Sequence, residues 1–137
     1  SDRSVGAGLK QIAAEVEDEH GKPIEVVTVG DARPSAQTDA LLDATRQALV
    51  NAVTHGGEPV SLYCEASDTM VEVFVRDHGE GFDMDAIPPD RLGIRKSIIG
   101  RIKRRGGTVE IVSRAGWGTE VRMHMPIALK AAQGEHR

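Results

Sequence analysis

The segment from Val71 to Asp83 constrains the fold more than any other part of the chain. Val71, Val73 and Val75 alternate with mainly polar neighbours, and this period of two predicts a β-strand with one buried face. Asp77 is in phase with the three valines, so we expect its carboxylate to point toward the apolar side of the sheet. A carboxylate in that position is costly unless hydrogen-bond donors satisfy it.

Gly79 and Gly81 follow this carboxylate directly, and they allow the backbone to turn sharply and to approach another group closely. A carboxylate that points into an apolar pocket beside two glycines suits a ligand with an amine donor and a flat ring, such as adenine. An ordinary strand that ends in an Asp-Gly turn has the same pattern. The segment alone therefore leaves both interpretations open.

The composition limits the classes of function. The 137 residues are enough for one domain with a hydrophobic core, and 39% hydrophobic with 28% charged residues is ordinary for a soluble globular protein. A net charge of -4 and an aromatic content of 3% argue against a nucleic-acid partner. No apolar run approaches the length of a membrane span, and no signal-peptide pattern is present. We expect a cytoplasmic domain that is part of a longer protein, because the chain begins at Ser1, with any membrane attachment in regions outside it.

The single cysteine, Cys64, is in phase with Val60 and Leu62. This phase predicts a small buried side chain in a reducing compartment. The Cys-His spacing of a metal site is absent, so the sequence offers no zinc or disulfide framework.

Apolar periodicity predicts three helices and five strands. The first two helices are expected over residues 5–19 and 37–55. A third helix is marked by Ile94, Ile98 and Ile102, which are spaced by four. The strands are expected over residues 24–29, 59–66, from Val71 onward, 108–113 and 119–125. This order predicts an α+β fold, a two-layer sandwich in which about three helices cover one face of a mixed β-sheet. We expect a single domain over residues 1–127 and a polar tail over 128–137 that frays.

Gln47, Asn51 and His55 are spaced by four and therefore share one side of the second predicted helix. Ala44 and Ala48 flank this polar row, which favours the close approach of another element or of a ligand. A surface helix with an exposed polar row explains the spacing equally well, so the row by itself does not decide between the two.

Four motifs nevertheless occur in a fixed order along the chain: the row Gln47/Asn51/His55, the run Asp77–Gly81, the segment Leu92–Ile94 and the segment Gly116–Thr119. Together they resemble the catalytic ATP-binding domain of histidine kinases, within the superfamily that includes gyrase, Hsp90 and MutL. The resemblance covers residues 5–126 and is strongest to short-lid sensor kinases of the actinobacterial type. It implies a Bergerat-type ATP-binding fold, with ATP and Mg²⁺ as the cofactors.

The resemblance also implies a role for each matching residue. Asn51 would help to hold Mg²⁺ against the phosphates, since an amide oxygen suits this hard cation, and His55 would lie near the phosphates. Asp77 would accept a hydrogen bond from the adenine amino group. Gly79 and Gly81 would let the backbone pass along the base.

The remaining implied roles fall on the second and third glycine boxes. Thr119 would complete the adenine contact through water. Leu92, Gly93 and Ile94 would lie in a loop ahead of a helix, where backbone N–H groups face phosphate. A solvated helix face is the favoured explanation of the basic cluster, and Arg95 is its best candidate for a phosphate contact. The cluster consists of Arg95, Lys96, Arg101, Lys103, Arg104 and Arg105.

The sequence departs from the family pattern at two positions. Gln47, the candidate catalytic residue, stands where many members have Glu, and a Gln does not titrate and so is no general base. Hydrolysis by an activated water is therefore in doubt, whereas transfer to a histidine of another domain is affected less. Arg91 stands where a glycine often opens the second glycine box, which reduces the expected flexibility of a short lid from Met84 to Arg91.

The resemblance implies the ATP-binding catalytic domain of a two-component sensor histidine kinase. The γ-phosphate would pass to a histidine on a helical dimerisation domain, upstream or in trans, and then to a response regulator. The usual phosphoacceptor histidine lies on a dimerising helical hairpin and is followed by an acidic residue. We do not expect His20, His78, His124 or His136 to be that histidine. An anti-sigma-factor-type protein serine kinase remains an alternative. A nucleotide-binding pseudo-kinase that serves as an interaction module is another, supported by Gln47 and Arg91.

Overall fold

The computed structural model describes residues 3–127, apart from the side chain of residue 90. The predicted polar tail over 128–137, and His136 with it, lies outside the described residues. The described elements follow the predicted order of helices and strands: α1 (Val5–His20), β1 (Ile24–Val29), α2 (Ala36–His55), β2 (Val60–Ala66), β3 (Met70–Asp77), α3 (Pro89–Arg104), β4 (Thr108–Arg114) and β5 (Gly118–Pro126).

The five strands form one sheet in the order β1-β2-β3-β5-β4. β1 and β2 are parallel and are joined through α2, whereas the other neighbours pair antiparallel. The predicted mixed sheet of an α+β fold is therefore confirmed. Within the part of the chain that the structure describes, no helix has the length and apolar character needed to cross a membrane.

The three helices pack on one face of this sheet, and the alternation along β3 shows how the sequence sets that face. Val71, Val73, Val75 and Asp77 are buried, while the residues between them are only half-buried on the other face. Leucines and isoleucines from the helices complete the same core, among them Leu9, Leu41, Leu49, Ile98 and Ile102. The opposite face is open, with Val27 on β1 53% exposed.

Cys64 lies on the covered face and is 1% exposed, which confirms the prediction of a small buried side chain. Its burial raises the pKa of the thiol to about 11, and the negative charges of Asp31 and Glu65 act in the same direction. The thiol is therefore a core group without thiolate character at neutral pH.

Helix α2, which carries the polar row, is fixed at both ends. Ser35 and Thr38 form a capping box, in which the Ser35 hydroxyl accepts from the Thr38 N–H and the Ser35 N–H donates to the Thr38 hydroxyl. At the other end the Gly56 N–H donates to the Ala52 carbonyl at 2.8 Å. These caps place the last turn of α2, with Asn51 and His55, against the end of β3.

The beginning of α3 differs from the prediction. Leu92, Gly93 and Ile94 were expected in a loop ahead of the helix, but the helix begins at Pro89 and contains all three. Pro89 has the backbone angle of a first helical turn and no N–H to satisfy, which favours this start. The N–H groups of Arg91 and Leu92 both donate to the Pro88 carbonyl, at 3.0 and 3.1 Å. The lid is therefore shorter than predicted, and Arg91 belongs to the helix.

Candidate functional site

Asp77, the last residue of β3, lies at the centre of the candidate site. It is only 5% exposed, and its Oδ1 accepts a hydrogen bond from the Gly79 N–H at 2.9 Å. The register of β3 and β5 places Asp77 directly opposite Thr119. The expected inward direction of Asp77 is confirmed, and Thr119 lies half-buried beside it.

Glycines allow the backbone to pack closely around this carboxylate. A Cβ at Gly56 would overlap Cγ of Asp77, and a Cβ at Gly79 would lie 2.7 Å from the backbone nitrogen of Gly57. Gly81 has a φ of +69°, and a Cβ there would overlap the Arg114 carbonyl oxygen. The floor of the site is therefore backbone packed against backbone, which only glycine permits at these positions.

A hydroxyl pair connects the loop after β3 to the hairpin of β4 and β5. Ser113 Oγ accepts from the Phe82 N–H at 2.9 Å and donates to the Gly118 carbonyl at 3.0 Å. It also lies 2.8 Å from Thr119 Oγ1. Because a hydroxyl has one proton and Ser113 gives it to Gly118, Thr119 is the donor in this pair. Both lone pairs of Thr119 Oγ1 then remain available to accept hydrogen bonds in the site.

Arg76 fixes the same two segments from the other side. Its Nε donates to the Asp77 carbonyl at 3.1 Å, and its Nη2 donates to the Trp117 carbonyl at 3.2 Å. Its guanidinium also lies over the Trp117 ring. The end of β3 and the turn before β5 are thus held together by one side chain that the sequence did not single out.

One narrow cleft brings together five of the eleven predicted site residues. Asn51 Oδ1 is buried, and no hydrogen-bond partner reaches it from the residues that the structure describes. The enclosed space is about 10 Å³, near the smallest volume that holds one water. The cleft is lined by Asn51, His55, Gly56, Asp77, Gly81, Phe82, Arg91 and Thr119.

Several predicted site residues lie elsewhere. The side-chain amide of Gln47 exchanges hydrogen bonds with the Ser97 hydroxyl, at 3.2 and 3.3 Å, so it connects α2 to α3 and does not line the cleft. Leu92, Gly93, Ile94 and Arg95 follow one another along α3 and do not line the cleft either. Gly79 is held at the site by its contact with Asp77.

Three lining residues were not predicted as site residues: Gly56, Phe82 and Arg91. Gly56 follows the end of the second predicted helix, and its contact with Asp77 depends on long-range packing. Arg91 was noted only as a departure from a glycine. The Pro88-Pro89 step before it could have placed Arg91 in the first turn of a helix, because proline favours a helix start.

A wider groove of about 340 Å³ lies on the open face of the sheet and contains none of the predicted residues. Its charged groups are paired: His124 Nδ1 lies 2.9 Å from Glu72 Oε2, and Arg122 bridges Glu110 and the neighbouring Glu120. The candidate site is therefore the narrow cleft, where polar groups remain available.

Comparison with known proteins gives concordant results. Residues 36–129 match the family described as "Histidine kinase-, DNA gyrase B-, and HSP90-like ATPase". The sensor histidine kinase LiaS of Bacillus subtilis (strain 168) is 28% identical over 127 residues, which are 89% of this chain and 35% of LiaS. The chain thus spans about a third of the length of this curated relative.

Solved structures show the same fold. The histidine kinase domain of the blue-light activated histidine kinase from Erythrobacter litoralis EL346 aligns with a TM-score of 0.68 at 22% identity, over 89% of this chain and 60% of that chain. The mycobacterial sensor histidine kinase MprB aligns with a TM-score of 0.70 at 13% identity, over 94% of this chain and 98% of that chain. At these identities the similarity establishes the architecture.

Proposed function

The chain belongs to the family of histidine kinase-, DNA gyrase B- and HSP90-like ATPases, and on that premise we propose that it is the ATP-binding catalytic domain of a two-component sensor histidine kinase. The cleft beside Asp77 is proposed to bind Mg-ATP. One observation carries this proposal: Asp77, Thr119 and the unpartnered amide oxygen of Asn51, from three different elements, line a single cleft. We place the domain in the cytoplasm, where ATP is available.

The adenine end of the cleft is proposed to lie at Asp77. The Asp77 carboxylate accepts one hydrogen bond, from the Gly79 N–H, and this leaves acceptor capacity for an adenine amino group. The acceptor lone pairs of Thr119 suit a water between the hydroxyl and the base. Gly81 has no side chain and packs against the backbone of Arg114 and Gly118, so we expect a flat ring to lie along this segment.

The phosphate end is proposed to lie at Asn51 and His55. An amide oxygen that is buried without a hydrogen-bond partner fits a hard cation that keeps most of its waters and takes few protein ligands. No group of three or more His, Cys, Asp or Glu within residues 3–127 is arranged to hold a metal, so Asn51 would share the ion with the phosphates. When bound, Mg²⁺ neutralises part of the phosphate charge.

This domain would position the nucleotide, while the nucleophile is a histidine on a helical dimerisation domain, upstream or in trans. A response regulator would then receive the phosphate. Gln47 does not titrate and is already bonded to Ser97, so the proposal gives it no part in proton transfer. That arrangement favours transfer to a partner histidine over hydrolysis by an activated water.

Calorimetric titration with ADP and a non-hydrolysable ATP analogue, with and without Mg²⁺, tests the binding proposal. We expect Asp77→Asn to lose roughly 1.5–3 kcal/mol of binding free energy, because the amino group loses a charged acceptor. Asp68→Asn, in the exposed turn between β2 and β3, is the matched control and should bind as the wild type does. Equal affinity of the Asp77→Asn and wild-type proteins would refute the assignment.

Phosphotransfer is tested by supplying ATP and a helical phosphoacceptor domain, then measuring the chemical stability of the product. Phosphohistidine is labile in acid and stable in alkali, whereas phosphoserine behaves in the opposite way. An alkali-stable product supports the histidine kinase. An acid-stable product would identify the serine-kinase alternative, and nucleotide binding without any transfer would identify the pseudo-kinase.

A further inference from the structure

Arg91, in the first turn of α3, lines the cleft together with Asn51, Asp77 and Thr119. Among the lining residues that the structure describes, it is the one Lys or Arg side chain. A fixed positive charge therefore lies on the wall of the cleft, at a position where the sequence pattern of the family favours a glycine.

The guanidinium of Arg91 has little to bind in this structure. None of the ion pairs formed within residues 3–127 includes it. Its Nε is buried without a hydrogen-bond partner, and its guanidinium contacts the Phe82 ring, whose centroid is 5.7 Å from Cζ. That distance is near the outer limit of about 6 Å for a cation–π contact. A buried donor without an acceptor is unfavourable. Arg95 and Arg101 also have an unpartnered Nε, but only Arg91 lines the cleft, where an anion could supply the acceptor.

Three of the first four residues of α3 offer no free backbone donor. Pro89 has no N–H, and the N–H groups of Arg91 and Leu92 already donate to the Pro88 carbonyl. The family pattern assigned phosphate contacts to backbone N–H groups of Leu92, Gly93 and Ile94. Because these residues lie inside α3, we do not expect them to make those contacts. A guanidinium supplies donors in a planar fork that matches phosphate oxygens.

We propose that Arg91 binds the phosphate chain of the nucleotide and replaces the backbone donors expected from Leu92, Gly93 and Ile94. This inference rests on the proposed function of the cleft. The free space is only about 10 Å³ with Arg91 and Phe82 in place, so a nucleotide cannot enter unless part of the lining moves. The proposal assigns this movement to the Arg91 side chain. It moves from the Phe82 ring to the phosphates, which lie on the side of Asn51.

The test compares ligands with and without phosphate. Calorimetry with adenosine, ADP and a non-hydrolysable ATP analogue is carried out on the wild type, Arg91→Ala, Arg91→Lys and Lys103→Ala. We expect Arg91→Ala to weaken ADP and ATP-analogue binding about tenfold to a hundredfold, while adenosine binding changes less than about threefold. Arg91→Lys should restore part of the loss, because it keeps the charge without the fork. Lys103→Ala removes an exposed charge from the same helix and should bind all three ligands normally.

Three results would overturn the inference. Tighter binding of every ligand by Arg91→Ala would identify the side chain as a plug. Equal weakening of adenosine and ADP would identify a structural role without a phosphate contact, and unchanged binding would remove the role altogether. Failure of the proposed function looks different: the wild type would not bind nucleotide, or Asp77→Asn would bind like the wild type, and the inference about Arg91 would fall with it.

Discussion

The guanidinium carbon of Arg76 lies 3.5 Å from the centroid of the Trp117 ring, and the same side chain donates to the carbonyl oxygens of Asp77 and Trp117. Arg76 therefore joins the strand end that carries Asp77 to the turn that precedes Thr119. This connection adds to the pairing of β3 with β5, which places Asp77 opposite Thr119 at the proposed adenine end of the cleft.

Arg76→Ala should lower the free energy of unfolding by about 1–3 kcal/mol, because two hydrogen bonds from a charged donor and a stacked contact are lost. The emission of Trp117 should shift to longer wavelength as water reaches the ring. Urea unfolding followed by circular dichroism and by fluorescence measures both effects. Arg114→Ala is the matched control, since its guanidinium is 5.3 Å from the same ring. Equal effects in the two variants would argue against the connection.

Gly56→Ala should destabilise the fold by about 1–3 kcal/mol and weaken nucleotide binding, because the added methyl group overlaps the Asp77 carboxyl group and the Ala52 carbonyl. Gly56 has a φ of −92°, which alanine adopts freely, so the effect is steric and is not due to backbone strain. Thermal unfolding and calorimetry measure the two quantities. A variant that is as stable as the wild type would show that α2 and β3 do not approach as closely as described.

Gly93→Ala should raise the free energy of unfolding by about 0.5–1 kcal/mol. Gly93 lies inside α3, where alanine has the higher helix propensity, and a Cβ there would meet nothing within 4 Å. Because the phosphate contact is assigned to the Arg91 side chain, this variant should also keep its affinity for ADP. Destabilisation would indicate that the segment is a loop in solution, as the sequence pattern had predicted.

Asp31 should give the domain a specific sensitivity to acid. Burial raises the pKa of this carboxyl, but backbone hydrogen bonds from Gly6, at 2.9 Å, and from Ala32, at 2.8 Å, outweigh burial and hold the pKa below its usual 3.8. The pKa of Asp31 is lower in the folded state, so its stabilising contribution is present above about pH 4 and is lost as the pH falls through the folded pKa.

The measurement for Asp31 is the free energy of unfolding between neutral and strongly acidic pH, for the wild type and for Asp31→Asn. We expect the difference between the two proteins to be largest at neutral pH and to shrink below about pH 4. Asp68→Asn, in an exposed turn, serves as the control. A difference that is independent of pH would contradict the assigned pKa direction.

Local periodicity was sufficient to predict much of the fold and part of the site. The alternation of Val71, Val73 and Val75 predicted the inward direction of Asp77, and the spacing by four predicted that Asn51 and His55 share one side of α2. Both signals depend on the geometry of a single element, which the sequence determines directly. The inferred family rested on the order of such local motifs.

Relations between distant elements could not be predicted in the same way. The contact between Gly56 and Asp77 and the connection from Arg76 to Trp117 arise from how α2, β3 and the β4–β5 turn pack together, and no periodicity within one element encodes that packing. The start of α3 was predicted wrongly for a different reason. Pro89 favours a helix start, but the expected loop was taken from the family pattern. In the structure the helix begins at Pro89, as the local sequence favours.

The bond between Gln47 and Ser97 has a mechanical consequence. It fastens α2, which carries Asn51 and His55, to α3 at a point beyond Arg91, and Ile98 and Ile102 anchor the rest of α3 in the core. We therefore expect the part of α3 from Ser97 onward to stay in place when a ligand binds, so that any rearrangement near Arg91 is confined to the turns before Ser97.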